Sequence, residues 1–335
     1  MCAAERKPVI IDTDPGDDDA TSILWAIASG KVDVKALTVT NGNVGVDKCV
    51  INALRTLEVA GYTDIPVYGG AYRPLVRPTR DASWIHGKDG LGDQGFPMPV
   101  TRPAEGHAAV AIPRIVKESK EPVTILTLGP LTNIALAVLL DKSFLENVKE
   151  IIFMGGAVRV TGNESPRASY NVKVDPEAAH VIYNCGVPVV QIGLDVCDLV
   201  TQRPEDLAAI GRAGTRASEF LIKLLSFRQS KSSKPIFDDK GNQVGEVTAA
   251  NQVERHGGIG LNDLTATGYL LNPGWFKTLH AAMDVETSGR YTDGETIVDY
   301  KGLWGREPNG YFAYDVDGKA LVDQWVKDMV AFQPR

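Results

Sequence analysis

Five aspartates, Asp12, Asp14, Asp17, Asp18 and Asp19, fall within eight positions of the stretch PVIIDTDPGDDDA, residues 8–20. Carboxylates this close repel one another unless something positive sits among them. Further along the chain stand Asn41-Gly42-Asn43, Leu128-Gly129-Pro130-Leu131-Thr132-Asn133, Met154-Gly155-Gly156, Asn163, Asn171 and Asn262-Asp263. The set is carboxylates, amides and backbone groups, with few lysines or arginines. Hard oxygen donors suit Ca2+ or Mg2+ rather than zinc or copper. Side-chain amides donate to and accept from the vicinal hydroxyls of a neutral polyol. Plainer roles compete at single positions. Asp17 reads as a helix-start acid placed for the dipole, Asn43 as a turn residue, Met154 as core, and Asn133 as a brace for its own loop.

These residues share a place: nearly all follow a predicted strand. The strands are PVIID (8–12), VKALTVTNG (34–42), IPVYGG (65–70), VTILTLGP (123–130), KEIIFMGG (149–156) and VPVVQIGLD (187–195). They are near-continuous apolar runs, as expected of parallel strands covered on both faces. Helices are predicted between them at Asp18–Ser29, Val46–Ala60, Ala108–Lys117, Leu131–Leu140 and Pro176–Asn184. This rhythm predicts an α/β fold with a doubly wound, mostly parallel sheet, in which ligands bind beyond the carboxyl ends of the strands. From 226 to 262 the pattern breaks into a polar, Gly-rich stretch, expected to be a lid or an inserted hairpin. A helix at Asp263–Leu271, strands at 281–289 and 311–316 and a closing helix at Ala320–Phe332 follow. No linker or repeat interrupts the chain, so residues 1–335 are expected to form one domain.

The 335 residues are 44% hydrophobic with net charge −7, enough for a large core and of the wrong sign for a nucleic-acid surface. The cysteines Cys2, Cys49, Cys185 and Cys197 are scattered without a C-x-x-C pair, which argues against a disulfide framework or a zinc site. No signal-peptide pattern and no run of 18 apolar residues occurs, so a soluble, cytoplasmic protein without a membrane partner is expected. The sequon at Asn163-Glu164-Ser165 would matter only in a secreted protein.

IDTDPGDDDA resembles the D-x-D-P-G-x-D-D signature of the nucleoside hydrolases, the inosine–uridine-preferring type. The resemblance extends along the chain through LTVTNGN, IHGKDGLGD, LGPLTNIA, IIFMGGA, YNVKVDPEAAH and Asp263. It implies the doubly wound fold and hydrolysis of the N-glycosidic bond of ribonucleosides with a tightly bound Ca2+. By motif position, Asp14 would ligate the metal and act as general base on water. Asp19, Asp263 and the backbone carbonyl of Leu128 would complete the ligands, and Asp12 would hold the loop from behind. Asp18, Asn43 and Asn171 would bind the ribose 2′- and 3′-hydroxyls, Asn163 the far side of the sugar, and Met154 would line the pocket. His86 would sit near the base and counts with Asp14 among the catalytic candidates. Family members form homodimers and homotetramers, and either is implied here.

Two departures stand out. Family members carry a histidine directly before the last metal aspartate to protonate the leaving base; here it is Asn262, beside the substrate, and an amide cannot serve as that acid. The Glu-aromatic-Asn motif near the 5′-hydroxyl reads Ser169-Tyr170-Asn171, which would hold that end more weakly or admit something larger. Stacking of the base by Trp84 or Tyr170, or an acid supplied by His256, are the substitutes the sequence offers. Two rivals follow. Asp12-Thr13-Asp14 suits a haloacid-dehalogenase-type phosphatase, although Pro15-Gly16 follows where that family has other residues. The missing acid could also leave a weak or inactive protein that binds Ca2+ and ribonucleosides.

Overall fold

Strand β1 (Lys7–Thr13) must be central, because Val9, Ile10 and Ile11 have no exposed surface at all. The computed structural model describes residues 6–230, 233–237, 243–248 and 259–335. Twelve further strands follow among them: β2 (Val32–Val39), β3 (Val67–Gly69), β4 (Val123–Thr127), β5 (Val148–Met154), β6 (Val189–Ile192), β7 (Thr201–Gln202), β8 (Ser233–Phe237), β9 (Gln243–Thr248), β10 (Ile259–Gly260), β11 (Phe276–Val285), β12 (Thr296–Asp299) and β13 (Gly310–Val316). β1 and eight of these form one nine-stranded sheet in the order β12-β11-β13-β6-β5-β4-β1-β2-β3. Pairing is parallel from β3 across to β13, and β11 runs antiparallel to both β13 and β12. The predicted doubly wound sheet is therefore present, with an antiparallel edge.

The helices are α1 (Asp17–Ala28), α2 (Val46–Ala60), α3 (Ser83–His86), α4 (Ala108–Glu118), α5 (Thr132–Leu140), α6 (Tyr170–Val174), α7 (Pro176–Tyr183), α8 (Leu194–Cys197), α9 (Pro204–Gly211), α10 (Arg216–Ser230), α11 (Asn262–Leu271) and α12 (Gly318–Ala331). Successive β1 side chains point to opposite faces of the sheet. Val9 and Ile11 pack with Leu24 of α1, Leu57 of α2, Leu224 of α10, Leu264 of α11 and Trp325 of α12. Ile10 packs on the other face with Ile112 of α4, Ile134 of α5 and Ile182 of α7. The α2 helix ends at Gly61, which takes φ +76°, a left-handed cap that glycine adopts without penalty.

Along the sheet the order 3-2-1 gives way to 4-5-6 at the β1–β4 pair. Connections leave these two strands toward opposite edges, and the loops beyond their ends diverge into a crevice. Asp14 follows one strand and Leu128-Gly129 the other. The α11 helix lies against α1, where the Ser22 hydroxyl donates to the Asp263 carbonyl at 3.1 Å and pairs with the Thr267 hydroxyl at 2.5 Å. That contact carries Asp263, remote in sequence, to the start of α1.

The stretch expected to be aperiodic from residue 226 begins with the last turn of α10. Within it β8 and β9 pair antiparallel as a hairpin. No helix among the described residues is long and apolar enough to cross a membrane.

Candidate active site

The acidic cluster is built from strand ends inward. Asp12, fully buried, accepts from the Thr38 hydroxyl of β2 at 2.6 Å and from the Asn133 amide of α5 at 2.9 Å. Asn133 also accepts from the Ala71 amide at 2.8 Å, so one side chain joins the ends of three strands and their loops. Burial, only partly offset by these bonds, pushes the Asp12 carboxyl up to about 7. Replacing Asn133 with alanine would leave Asp12 and the Ala71 N–H short of a buried partner. The expected loss is about 1–3 kcal/mol of unfolding free energy, read by urea denaturation.

Asp14 has almost no exposure and accepts from the Asn43 backbone amide at 2.7 Å. A methyl group at Gly42 or Gly129 would overlap its carboxylate, so both flanking loops need glycine there. Asp19 accepts from the Thr13 hydroxyl at 2.5 Å, the Gly16 amide at 2.9 Å and the Asn43 side-chain amide at 3.0 Å. Burial raises the Asp14, Asp19 and Asp263 carboxyls, and neighbouring carboxylates raise them further: Asp19 acts on Asp14, Asp18 on Asp19, and Asp18, Asp19 and Asp14 on Asp263. The repulsion anticipated from the sequence is therefore real in the folded chain.

Asp18, Asp19 and Asp263 each offer an oxygen, all within 4.8 Å of one another. Asp12 Oδ1 and Asp18 Oδ1 are buried without a hydrogen-bond partner. An all-oxygen donor set at this spacing fits a hard divalent cation, and an orphaned ionised carboxylate oxygen can equally accept from a ligand hydroxyl. Asp14 lies next to this trio, its carboxylate accepting from the Asn43 amide and closely flanked by Gly42 and Gly129. A second trio, Asp17, Asp18 and His86, meets the same spacing. It already contains a cation. Arg228 Nη1 donates to Asp17 Oδ1 at 3.0 Å and lies 2.9 Å from Asp18 Oδ2. His86 Nδ1 sits 2.5 Å from the same Asp17 oxygen. Burial alone would raise Asp17, but the Arg228 and His86 charges outweigh it and hold it down at about 2. Burial likewise opposes charge on His86, yet the Asp17 carboxylate raises its pKa.

Around this core the Asn171 amide donates to the carbonyls of Leu128, at 2.5 Å, and Met154, at 2.9 Å, joining the ends of β4 and β5. Asn163 accepts from the Tyr170 backbone amide at 2.8 Å, and the Tyr170 hydroxyl donates to the Gly42 carbonyl at 2.9 Å. Ser169 is buried, and its hydroxyl accepts from the Gly156 amide at 2.6 Å. Trp84 is half-buried on α3, two residues before buried His86. Asn262 is half-buried at the start of α11. His256 lies outside the described residues.

Two residues of this network were not selected from the sequence. Asp17 looked like a helix-start acid only, yet it is fully buried between His86 and Arg228. Arg228 contradicts the expectation of a site poor in cations near the acids. Its signal was present: Phe220, Leu221, Leu224 and Leu225 form a buried stripe at helical spacing that carries α10 onward to residue 228.

A family model for the inosine-uridine preferring nucleoside hydrolases matches residues 9–323. A pyrimidine-specific ribonucleoside hydrolase, RihA, of Escherichia fergusonii is 38% identical over 316 residues, 94% of this chain and 96% of that one. A purine-preferring ribonucleoside hydrolase from Gardnerella vaginalis superposes with TM-score 0.87 at 26% identity, covering 97% of this chain and 99% of that one. The plant nucleoside hydrolase PpNRh1 does so with TM-score 0.87 at 31% identity, covering 98% and 100%. The sheet and its switch point are those of a doubly wound α/β fold with an acidic crevice beyond its strand ends. The chain belongs to the nucleoside hydrolase family, whose members are hydrolases of nucleosides.

Proposed function

We propose that the protein hydrolyses the N-glycosidic bond of ribonucleosides with the help of Ca2+, releasing free base and ribose. The observation that carries this reading is the buried carboxylate cluster at the β1–β4 switch point, with Asp14 fixed beside the Asp18–Asp19–Asp263 trio. Asp19, Asp263, Asp14 and the Leu128 carbonyl would hold the ion, with Asp12 and Asn133 steadying the loops. A divalent cation there supplies Lewis acidity toward water and cancels repulsion among the carboxylates. Because water on a hard cation such as Ca2+ would stay only weakly acidic, a carboxylate base would be needed, and Asp14 would receive the proton of the attacking water. Asp18, Asn43 and Asn171 bind the ribose hydroxyls, Asn163 the far side of the sugar, and Met154 its floor. As the base departs, positive charge grows on the ribose, and the surrounding carboxylates stabilise it electrostatically.

Activation of the leaving base must bypass Asn262. Stacking by Trp84 or Tyr170, a proton from His256, or the Asp17-paired His86 are this chain's means. The names of relatives point both ways on base preference, pyrimidine-specific for one and purine-preferring for another. Initial rates on inosine, guanosine, adenosine, uridine and cytidine decide it. A purine bias favours stacking over acid catalysis. Tight nucleoside binding without turnover of any of the five supports the second reading, a binding protein, which the amide at position 262 favours. A homodimer or homotetramer is proposed from the family, and exposed Tyr300, Leu303 and Trp304 beyond edge strand β12 offer apolar surface for a second copy.

A further inference from the structure

We infer that Arg228 is a positioning residue for the sugar-binding carboxylate Asp18, a role that rests on the ribonucleoside reading above. Its side chain, 11% exposed, reaches from the last turn of α10 into the acidic crevice. One nitrogen, Nη1, serves Asp17 Oδ1 at 3.0 Å and Asp18 Oδ2 at 2.9 Å. Asp17 is fixed a second time by His86 Nδ1 at 2.5 Å, so it is the anchored side of the clamp. Among the described residues, the Asp18 side chain is held by the guanidinium alone. Its other oxygen, Oδ1, is buried, lacks a hydrogen-bond partner and stands 3.8 Å from His86 Nδ1, beyond hydrogen-bond reach.

An ionised carboxylate oxygen can only accept, and leaving one buried without a donor costs free energy in the empty protein. A hydroxyl from a bound sugar removes that deficit. The clamp thus divides the work of Asp18: Oδ2 is spent on Arg228, and Oδ1 remains for the ligand. Without Arg228, two adjacent buried carboxylates would repel, and Asp18 would rotate away or recruit His86 in competition with Asp17. Arginine suits the task because its delocalised charge stays on when buried and its planar head is held in one orientation.

The test measures binding without turnover. Full-length protein carrying Asp14→Asn, with and without Arg228→Ala, is titrated calorimetrically with uridine, inosine and their 2′-deoxy counterparts. Bound metal is counted and melting temperature recorded for each. With Arg228 present, the ribonucleosides are expected to bind more tightly than the deoxy forms. Arg228→Ala should weaken ribonucleoside binding at least roughly tenfold and bring the ribo-to-deoxy ratio toward one. Arg228→Lys, a shorter side chain that keeps the charge, should recover part of the ratio. If the alanine protein does not fold, Arg228→Gln takes its place, with loss of the ratio expected. A ratio unchanged in folded Arg228→Ala or Arg228→Gln, with only the melting temperature lowered, would overturn the inference. So would failure of every nucleoside to bind with Arg228 present. Failure of the hydrolase reading shows separately, as absence of ribose release from protein with Asp14 intact, and leaves this comparison readable.

Discussion

Asp14→Asn lowers the rate of ribose release by roughly 10²- to 10⁴-fold, the usual range for removal of a positioned acid or base, without unfolding the protein. Asparagine has nearly the same shape, and its side-chain oxygen still accepts from the Asn43 amide that now holds Asp14 at 2.7 Å. Gly42 and Gly129 leave room for that shape and little else. The substitution removes a negative charge that burial and the Asp19 carboxylate both disfavour. The metal-free variant should therefore melt at or above the parent's temperature at neutral pH while its activity is lost. Turnover within tenfold of the parent would contradict the role of Asp14. A melting temperature many degrees below the parent would contradict the charge argument instead.

Treatment with a chelator is expected to abolish ribose release, and added Ca2+ to restore it. The stripped protein also gains a signature pH dependence. Burial raises Asp12 from 3.8 to about 7, and burial with neighbouring charge raises Asp14, Asp19 and Asp263. The metal-free folded chain then holds protons that the unfolded chain has released. Stability from these groups is present in full below about pH 4, the unfolded carboxyl range, and is lost as pH rises through their folded values, about 7 for Asp12. Asp17, held down at about 2, contributes in the opposite sense: its stabilisation is present above the unfolded value and lost only as pH falls through about 2. A bound cation needs its ligands deprotonated, so binding releases protons and affinity should rise about tenfold per pH unit for each proton displaced. Thermal melts at pH 5 and pH 8, with and without Ca2+, read this directly. The stabilisation by Ca2+ should be larger at pH 8; a larger effect at pH 5 would contradict the carboxylate site.

Much of the frame was legible because the strands of a covered parallel sheet announce themselves as apolar runs. The predicted helix Val46–Ala60 matches α2 at both ends, and PVIID falls inside β1. What was missed lacks a local signal of that kind. Strand β12 is four residues, Thr296–Asp299, in polar surroundings, and is defined by its pairing with β11 rather than by its own composition. The acidic cluster was visible as sequence because five of its members fall within eight consecutive positions. The clamp was not, since Arg228 meets Asp17 across 211 positions and only tertiary packing makes them neighbours. Asp17 had a sufficient local explanation in the helix dipole, and a sufficient local explanation conceals a long-range partner. Asn133 is the same case in reverse: the sequence reads it as a brace for its own loop, but its side chain bonds Asp12 on β1 and the Ala71 amide beyond β3.

Leaving-group activation is the part of the proposed reaction with the least settled residue in this chain. Asn262 opens α11, and buried His86, at the end of α3, is raised in pKa by Asp17. The deciding assay is the release of reducing sugar from uridine and inosine by purified protein. It is run as Ca2+-loaded, chelator-stripped and Ca2+-restored samples, with Asp14→Asn alongside. Free ribose from the loaded and restored samples, none above background from the stripped protein, and a rate lower by at least roughly 10²-fold from the variant, is the expected result. Ribose release that persists undiminished after stripping, or that is absent from the loaded protein although it binds nucleoside, would contradict metal-dependent hydrolysis at this site.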